Sequence, residues 1–388
     1  MKKKLNNYLE KFRELPTPFY FYDLDILRDT LDIIKGESEK YGIKIHYAIK
    51  ANSNPRILQL ISSYGFGADC VSMNEIERAI STGFKPNEIV FAGVGKADKE
   101  IVAALEAQIS LFNCESIAEI EVINSIAIKH SLIANIALRI NPNIEAHTHK
   151  YITTGIEESK FGINIQDLKD VVSLISKLKN INLKGIHFHV GSQIDRMSVF
   201  TELCKKINEL QKWFSSQNIK LQIINAGGGL GIDYANPEKM PEFQQYFSLL
   251  NKLVDYNIGQ ELHAEPGRSV VAQCGSLISK VLYIKKGVKT RFVIIDAGMT
   301  DLIRPALYQA VHKIENLSSD GKIFRYDIVG PICESSDTFA KDTELNETSR
   351  GDIIAIKSAG AYGEVMASRY NLRDLPYSVF SDDIKLNL

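Results

Sequence analysis

The chain has 388 residues, of which 45% are hydrophobic and 24% charged, and its formal net charge is −1 at pH 7. These values describe an ordinary soluble globular protein of about two domains. A charge so near zero, with no long basic or acidic run, argues against nucleic acid or a membrane surface as a partner, and no stretch of 18 apolar residues is present to span a bilayer.

The start, Met1-Lys2-Lys3-Lys4, leads into polar Asn6-Asn7-Tyr8, so it does not read as a signal peptide. Thr17 to Tyr22 is strand-like. Eight further strand candidates follow: Ile43–Lys50, Phe66–Ser72, Glu88–Gly93, Ile109–Cys114, Asn135–Asn141, Leu183–Gly191, Leu221–Gly229 and Gln260–Arg268. Between them lie stretches of helical period, among them Arg56 to Ile61, Glu75 to Ile80, Ser198 to Phe214 and Met240 to Tyr256. Eight strands alternating with seven helical segments predict an α/β fold, a (β/α)₈ TIM-like barrel, with a doubly wound open sheet as the competitor. One connection, Pro142 to Gln166, is long, polar and glycine-bearing, and reads as a functional lid or a disordered segment.

After residue 270 the grain changes. Ser276–Lys286, Arg291–Asp296, Ile323–Val329 and Asp352–Lys357 are short strands separated by turn residues, with few long helices. The expected division is a barrel over 26–270 and a second, mostly β domain made of 1–25 with 271–388. Five cysteines, at 70, 114, 204, 274 and 333, are odd in number and widely spaced without a CxxC. They fit neither a zinc site nor a disulfide framework and point to a reducing cytoplasm.

Unusual residues collect at the carboxyl ends of the strand candidates, where barrel enzymes place their chemistry and bind phosphate after strands seven and eight. Lys50 ends strand one, Asp69 lies late in strand two and Arg139 late in strand five. His189 ends strand six, Gly227-Gly228-Gly229 ends strand seven, and Glu265 and Arg268 end strand eight. His187 and His189 share one side of their strand; they read as buried, hydrogen-bonded imidazoles or as a ring lying on a cofactor, and a metal pair lacks a third ligand. Ser192 could offer its hydroxyl to a phosphate. The glycine run is either a tight turn or a place where backbone N–H groups approach an anion unhindered. Glu265 and Arg268 could be a plain surface pair; the alternative sets Glu265 against a pyridine nitrogen, which a carboxylate keeps protonated. Asp69 and Arg139 are expected to pair with each other and buttress the site. Cys333 could be an inert core thiol, but with Glu334 it sits in a polar segment expected to be an exposed loop, and His147 and His149 read as loop histidines. A strand-end lysine followed by a phosphate cradle and a buried carboxylate suggests a pyridoxal 5'-phosphate enzyme with Lys50 as the amine that takes the aldehyde.

Six motifs in order carry a resemblance: Tyr47 to Asn52, His189-Val190-Gly191-Ser192-Gln193, Gly227 to Gly231, Glu265-Pro266-Gly267-Arg268, Asp296 to Tyr308 and Gly330 to Asp337, joined by Gly360-Ala361-Tyr362-Gly363. Through them nearly the whole chain resembles the fold-type III pyridoxal phosphate decarboxylases, and within them the diaminopimelate decarboxylase family. The resemblance implies decarboxylation of diaminopimelate to lysine by a homodimer with active sites shared across its interface. It implies Lys50 as the cofactor lysine, His189 as the ring-stacking histidine, Glu265 as the pyridinium partner, and Ser192, Gly229 and Tyr362 around the phosphate. Arg268, Arg304, Tyr308 and Glu334 match substrate-binding positions, and Cys333 matches a thiol that reaches in from the neighbouring subunit as general acid. The segment Gly363 to Asn371 departs from the family pattern by carrying Glu364 and Arg369. An ornithine decarboxylase needs no arginine at the far end of its substrate, so Arg304 favours diaminopimelate. An alanine racemase would need two opposed acid–base groups in a small pocket, and non-catalytic mimics typically lose the lysine.

Overall fold

The computed structural model describes residues 5–144, 159–257 and 259–384, and its contacts divide the chain into two units. One comprises Leu31–Gly231 with Glu242–Arg268, the other Met1–Thr30 with Ile232–Pro241 and Ser269–Leu388.

In the first unit eight parallel strands form a closed barrel: Ile43–Ala48, Gly67–Cys70, Ile89–Phe91, Leu111–Cys114, Ala134–Asn141, Ile181–His187, Ile223–Asn225 and Glu261–Ala264. Each pairs with the next in sequence, and the eighth returns to the first with Leu262 opposite Ile43. Closure leaves the sheet no open edge. An added two-residue strand, Ile163–Asn164, pairs with Ile140 and Asn141 where the long connection rejoins the barrel. His147 and His149 lie outside the described residues.

The strands end earlier than their composition suggests, and the turn chemistry gives the reason. After Ala48 the chain makes a single 3₁₀ turn, Ile49–Ala51. Asn54 then caps the helix Pro55–Ser63, its side chain accepting from Arg56 N, with proline at the first helical position. Ser72 and Ser116 cap Met73–Ser81 and Ile117–Lys129 in the same way, through the N–H of Glu75 and Glu119. The first, second and fourth strands therefore hand over to polar turns at the carboxyl end of the barrel.

The second unit holds an eight-stranded, mostly antiparallel sheet in the order Ile314–Asn316, Ile353–Ile356, Gly275–Lys286, Arg291–Ile295, Ile323–Val329 and Thr338–Asn346. Phe19–Tyr22 adds antiparallel to Gly275–Lys286 and parallel to Tyr377–Phe380. Tyr8, Phe12, Phe19, Phe21, Ile278 and Ile353 pack into its core. Burying about 1.5–3 kcal/mol of apolar side chain at each such position holds the amino-terminal segment to this sheet. The departure seen in the sequence at Glu364 has a local cause: its carboxylate accepts from Tyr22 Oη at 2.6 Å and from Ser378 Oγ at 2.9 Å. No helix among the described residues is long and apolar enough to cross a membrane.

Candidate active site

Six side chains from five barrel strands or their following turns line one cavity of about 340 Å³: Lys50, Asp69, Arg139, His187, His189 and Glu265. Lys50 rides on the 3₁₀ turn with a third of its side chain exposed, and its Nζ lies 2.6 Å from Oδ2 of Asp69, which is 1% exposed. Burial pushes the Asp69 carboxyl up while the Lys50 ammonium pulls it down. His189 is held well below the ordinary imidazole value, by burial first and by the positive charges of Lys50 and Arg139 after it. It therefore stands as a neutral ring on the cavity wall.

The expected Asp69–Arg139 pair does not form. Asp69 takes Lys50, and Arg139 Nη1 donates to Glu115 Oε1 at 2.7 Å while its guanidinium stacks 4.7 Å from the ring centre of Phe161. The reason is strand order: the second and fifth strands are not neighbours, whereas Glu115 leaves the fourth strand directly beside Arg139. Glu115 also accepts from Gly93 N at 3.0 Å and from Gly162 N at 2.9 Å, so one buried carboxylate ties three segments of the cavity wall together. The only cue to it in the sequence is an acid immediately after a strand.

Glu265 is 4% exposed and is not part of a surface pair with Arg268. Its Oε1 accepts from Asn225 Nδ2 at 2.7 Å and its Oε2 from His187 Nε2 at 2.9 Å. Burial alone would raise its affinity for a proton; the charge and hydrogen bond of His187, with Lys50 beyond, outweigh burial and keep the carboxylate ionised. Arg268, also buried, opens a short helix and donates to Ser192 Oγ at 2.9 Å, so the hydroxyl hydrogen of Ser192 is left to donate elsewhere. The glycine run packs edge-on between the turns after strands six and eight. A Cβ on Gly227 would collide with Phe188 O, one on Gly228 with Glu265 O, and one on Gly229 would lie 2.7 Å from Gly191 O. Only glycine fits at these three positions.

The second unit carries the other predicted residues. Arg304 begins the helix Arg304–Tyr308, is 4% exposed, and donates from Nη1 to His312 Nε2 at 2.9 Å. His312 in turn donates from Nδ1 to Lys357 O at 2.9 Å, which fixes its tautomer, and Arg304 stacks 4.8 Å from the ring centre of Tyr234. Tyr308, at the end of that helix, is half-buried. Cys333 and Glu334 occupy an exposed loop, as their polar neighbours suggested. Asp337 pins that loop by accepting from Met299 N at 2.6 Å and Ile332 N at 2.7 Å, and Tyr370 Oη donates to Glu334 at 2.8 Å. Tyr362 is held at φ +55°, in the left-handed region, beside Gly360, whose own Cβ would strike Val271 O.

The first unit's residues suit pyridoxal phosphate. Asp69 Oδ1 and His187 Nδ1 are buried and lack hydrogen-bond partners among the described residues, in a cavity that also offers an amine, an ionised carboxylate and, close by, a glycine cradle. Residues 32–272 match the family described as pyridoxal-dependent decarboxylase, pyridoxal binding domain. Over 379 residues the chain is 55% identical to the diaminopimelate decarboxylase of Bacteroides thetaiotaomicron, covering 97% of this chain and 98% of that one. The chain belongs to the diaminopimelate decarboxylase family. Among solved structures, diaminopimelate decarboxylase from Helicobacter pylori complexed with L-lysine superposes with a TM-score of 0.92 at 41% identity, covering 97% of this chain and 94% of that one. The diaminopimelate decarboxylase of M. jannaschii in complex with L-lysine gives 0.89 at 34% identity, over 96% and 89% of the two chains. The diaminopimelate decarboxylase family thus accounts for the barrel and for the β-rich second unit alike.

Proposed function

We infer that this chain is a pyridoxal phosphate-dependent carboxy-lyase that converts diaminopimelate to lysine and carbon dioxide, the last step of lysine biosynthesis. The observation that carries this reading is one cavity in which the Lys50 amine is anchored on buried Asp69 and the buried Glu265 carboxylate is held ionised.

When bound, pyridoxal phosphate supplies a protonated ring that takes up the electron pair left on the α-carbon as carbon dioxide departs. Lys50 would hold it through its amine, and the neutral ring of His189 would lie against it. Glu265 would face its ring nitrogen, and Ser192, Gly227, Gly228, Gly229 and Tyr362 would receive its phosphate. Arg139 and Asp69 keep the wall and the amine in place. At the substrate's far end, an ammonium and a carboxylate call for opposite charges, which Glu334 and the arginines Arg268 and Arg304 provide, with Tyr308 and Tyr362 alongside. Cys333 then delivers the proton that replaces the lost carboxylate.

The exposure of Cys333 and Glu334 supports a homodimer in which this loop completes the neighbouring subunit's site. Exposed Tyr370, Leu372 and Leu375 nearby in sequence offer apolar area for such an interface. Four buried thiols and one exposed, none paired, fit a cytoplasmic protein. The test is carbon dioxide release by the cofactor-loaded protein offered diaminopimelate, lysine and ornithine separately. Release from diaminopimelate with lysine as product is expected; turnover of ornithine or lysine in its place refutes the assignment.

A further inference from the structure

We propose that His187 is a positioning residue for this reaction: with Asn225, it fixes the Glu265 carboxylate in one orientation toward the cofactor's ring nitrogen. The inference rests on the reading of Glu265 given above and extends it to His187, which the sequence offered only as a buried or ring-stacking histidine, and to Asn225, which it did not single out.

The three side chains come from the sixth strand, the seventh strand and the turn after the eighth. His187 and Glu265 side chains are only 2% and 3% exposed, and Asn225 is 1% exposed. Since His187 reaches Glu265 past the intervening seventh strand, the cluster lies inside the barrel, where layers of branched apolar side chains are the rule. A polar trio there needs a reason, because each buried polar group costs free energy unless it is satisfied.

The donor pattern supplies the reason. A carboxylate only accepts, so the His187 hydrogen sits on Nε2 and points at Glu265. Asn225 Oδ1 accepts from Gly227 N at 2.9 Å, so its Nδ2 is the end that must face Glu265. Neither partner can turn over without breaking its bond. Each Glu265 oxygen thus receives one fixed donor, and the carboxylate's remaining lone pairs stay available to a further one. Asn225 also couples the first glycine of the cradle to the same carboxylate, so two halves of the cofactor site share a single buried brace. The other ionisable groups around Glu265 are Lys50 and His46 from the first strand and its turn, Asp69 from the second strand, His189 and Tyr246. His187, by contrast, places a hydrogen bond of 2.9 Å directly on Glu265.

The experiment compares wild-type holoenzyme with His187→Phe, His187→Gln, Asn225→Ala and Glu265→Gln. The readouts are the cofactor's dissociation constant by equilibrium dialysis and its visible absorbance between pH 6 and 9. Removing a hydrogen bond to a charged group predicts that His187→Phe weakens cofactor binding about 10- to 100-fold and makes the absorbance band titrate within this range. His187→Gln, which restores a donor, should stay within about threefold of wild type with a flat band. A phenylalanine variant that folds yet binds and absorbs like wild type overturns the inference, as does a glutamine variant that behaves like the phenylalanine one. If His187→Phe does not fold, Asn225→Ala removes the other donor and decides by the same criteria. Glu265→Gln separates the two levels. Should it leave both readouts unchanged, the assignment of Glu265 itself falls; should it alter both while His187→Phe and Asn225→Ala do not, only the positioning role falls.

Discussion

Lys50 Nζ and Asp69 Oδ2 lie 2.6 Å apart, at the ends of adjacent barrel strands, with the acid buried and the lysine open to the cavity. The acid anchors the amine at one point of the wall without covering it. Charge-assisted contacts of this length are among the stronger hydrogen bonds in proteins. A lysine so placed is aimed rather than merely solvated.

Lys50→Ala should lower turnover on the order of a thousandfold or more, the usual scale for removing a nucleophile. Borohydride reduction of the loaded wild-type protein followed by peptide mapping checks the position. A pyridoxyl label on any other lysine removes Lys50 from its role.

Two inactive variants should rescue each other if the Cys333 loop serves the neighbouring subunit. Random exchange between Lys50→Ala and Cys333→Ala subunits makes half of the dimers mixed, each with one intact site of two, so about a quarter of wild-type activity returns. No recovery despite demonstrated exchange would mean that the two residues act within one chain.

Arg304→Ala should reduce kcat/KM for diaminopimelate by roughly 2–5 kcal/mol in transition-state terms, the range for truncating one partner of a desolvated charge pair. The visible absorbance of the bound cofactor should not change. Near-wild-type steady-state kinetics would restrict Arg304 to bracing His312 and Tyr234.

Acid should destabilise the barrel through His46. This ring is 3% exposed, bonded to Glu88 O at 3.1 Å and to His263 Nδ1 at 3.0 Å, and burial, then the charge of His263, lowers its pKa from 6.5 to about 3. The unfolded chain binds a proton here below about pH 6.5 and the folded one does not, so stability falls with falling pH. The slope approaches about 1.4 kcal/mol per pH unit between the two values. Urea unfolding of wild type and His46→Gln from pH 7 to pH 4 measures it; an equal slope in both proteins rejects the assignment.

The barrel was legible because its strands are short β-branched or apolar runs bounded by Asn, Gly, Pro and Ser: six fall within the predicted segments, and the other two, Ala134–Asn141 and Ile181–His187, begin one and two residues earlier. Their ends were not, because Lys50, His189 and the glycine run continue the extended composition into turns that leave the sheet. Thr338–Asn346 escaped notice since only Phe339 and Leu345 of its nine residues are buried and it lies at the end of the sheet path, where charge replaces alternation. Pairings were the least visible level. The bonds from Lys50 to Asp69, Arg139 to Glu115 and His187 to Glu265 depend on which strands become neighbours on closure, and the last joins residues 78 apart in sequence.

Glu115 has an evolutionary consequence. One root of the connection after the fifth strand is fastened by Asn141 Oδ1 accepting from Asn143 N at 3.1 Å, the other by Glu115 accepting from Gly162 N. With both roots pegged to the barrel rim, insertions and deletions between them need not be felt by Arg139 or Phe161. Relatives are free to vary the length and chemistry of this stretch without rebuilding the cavity wall that Arg139 and Phe161 form.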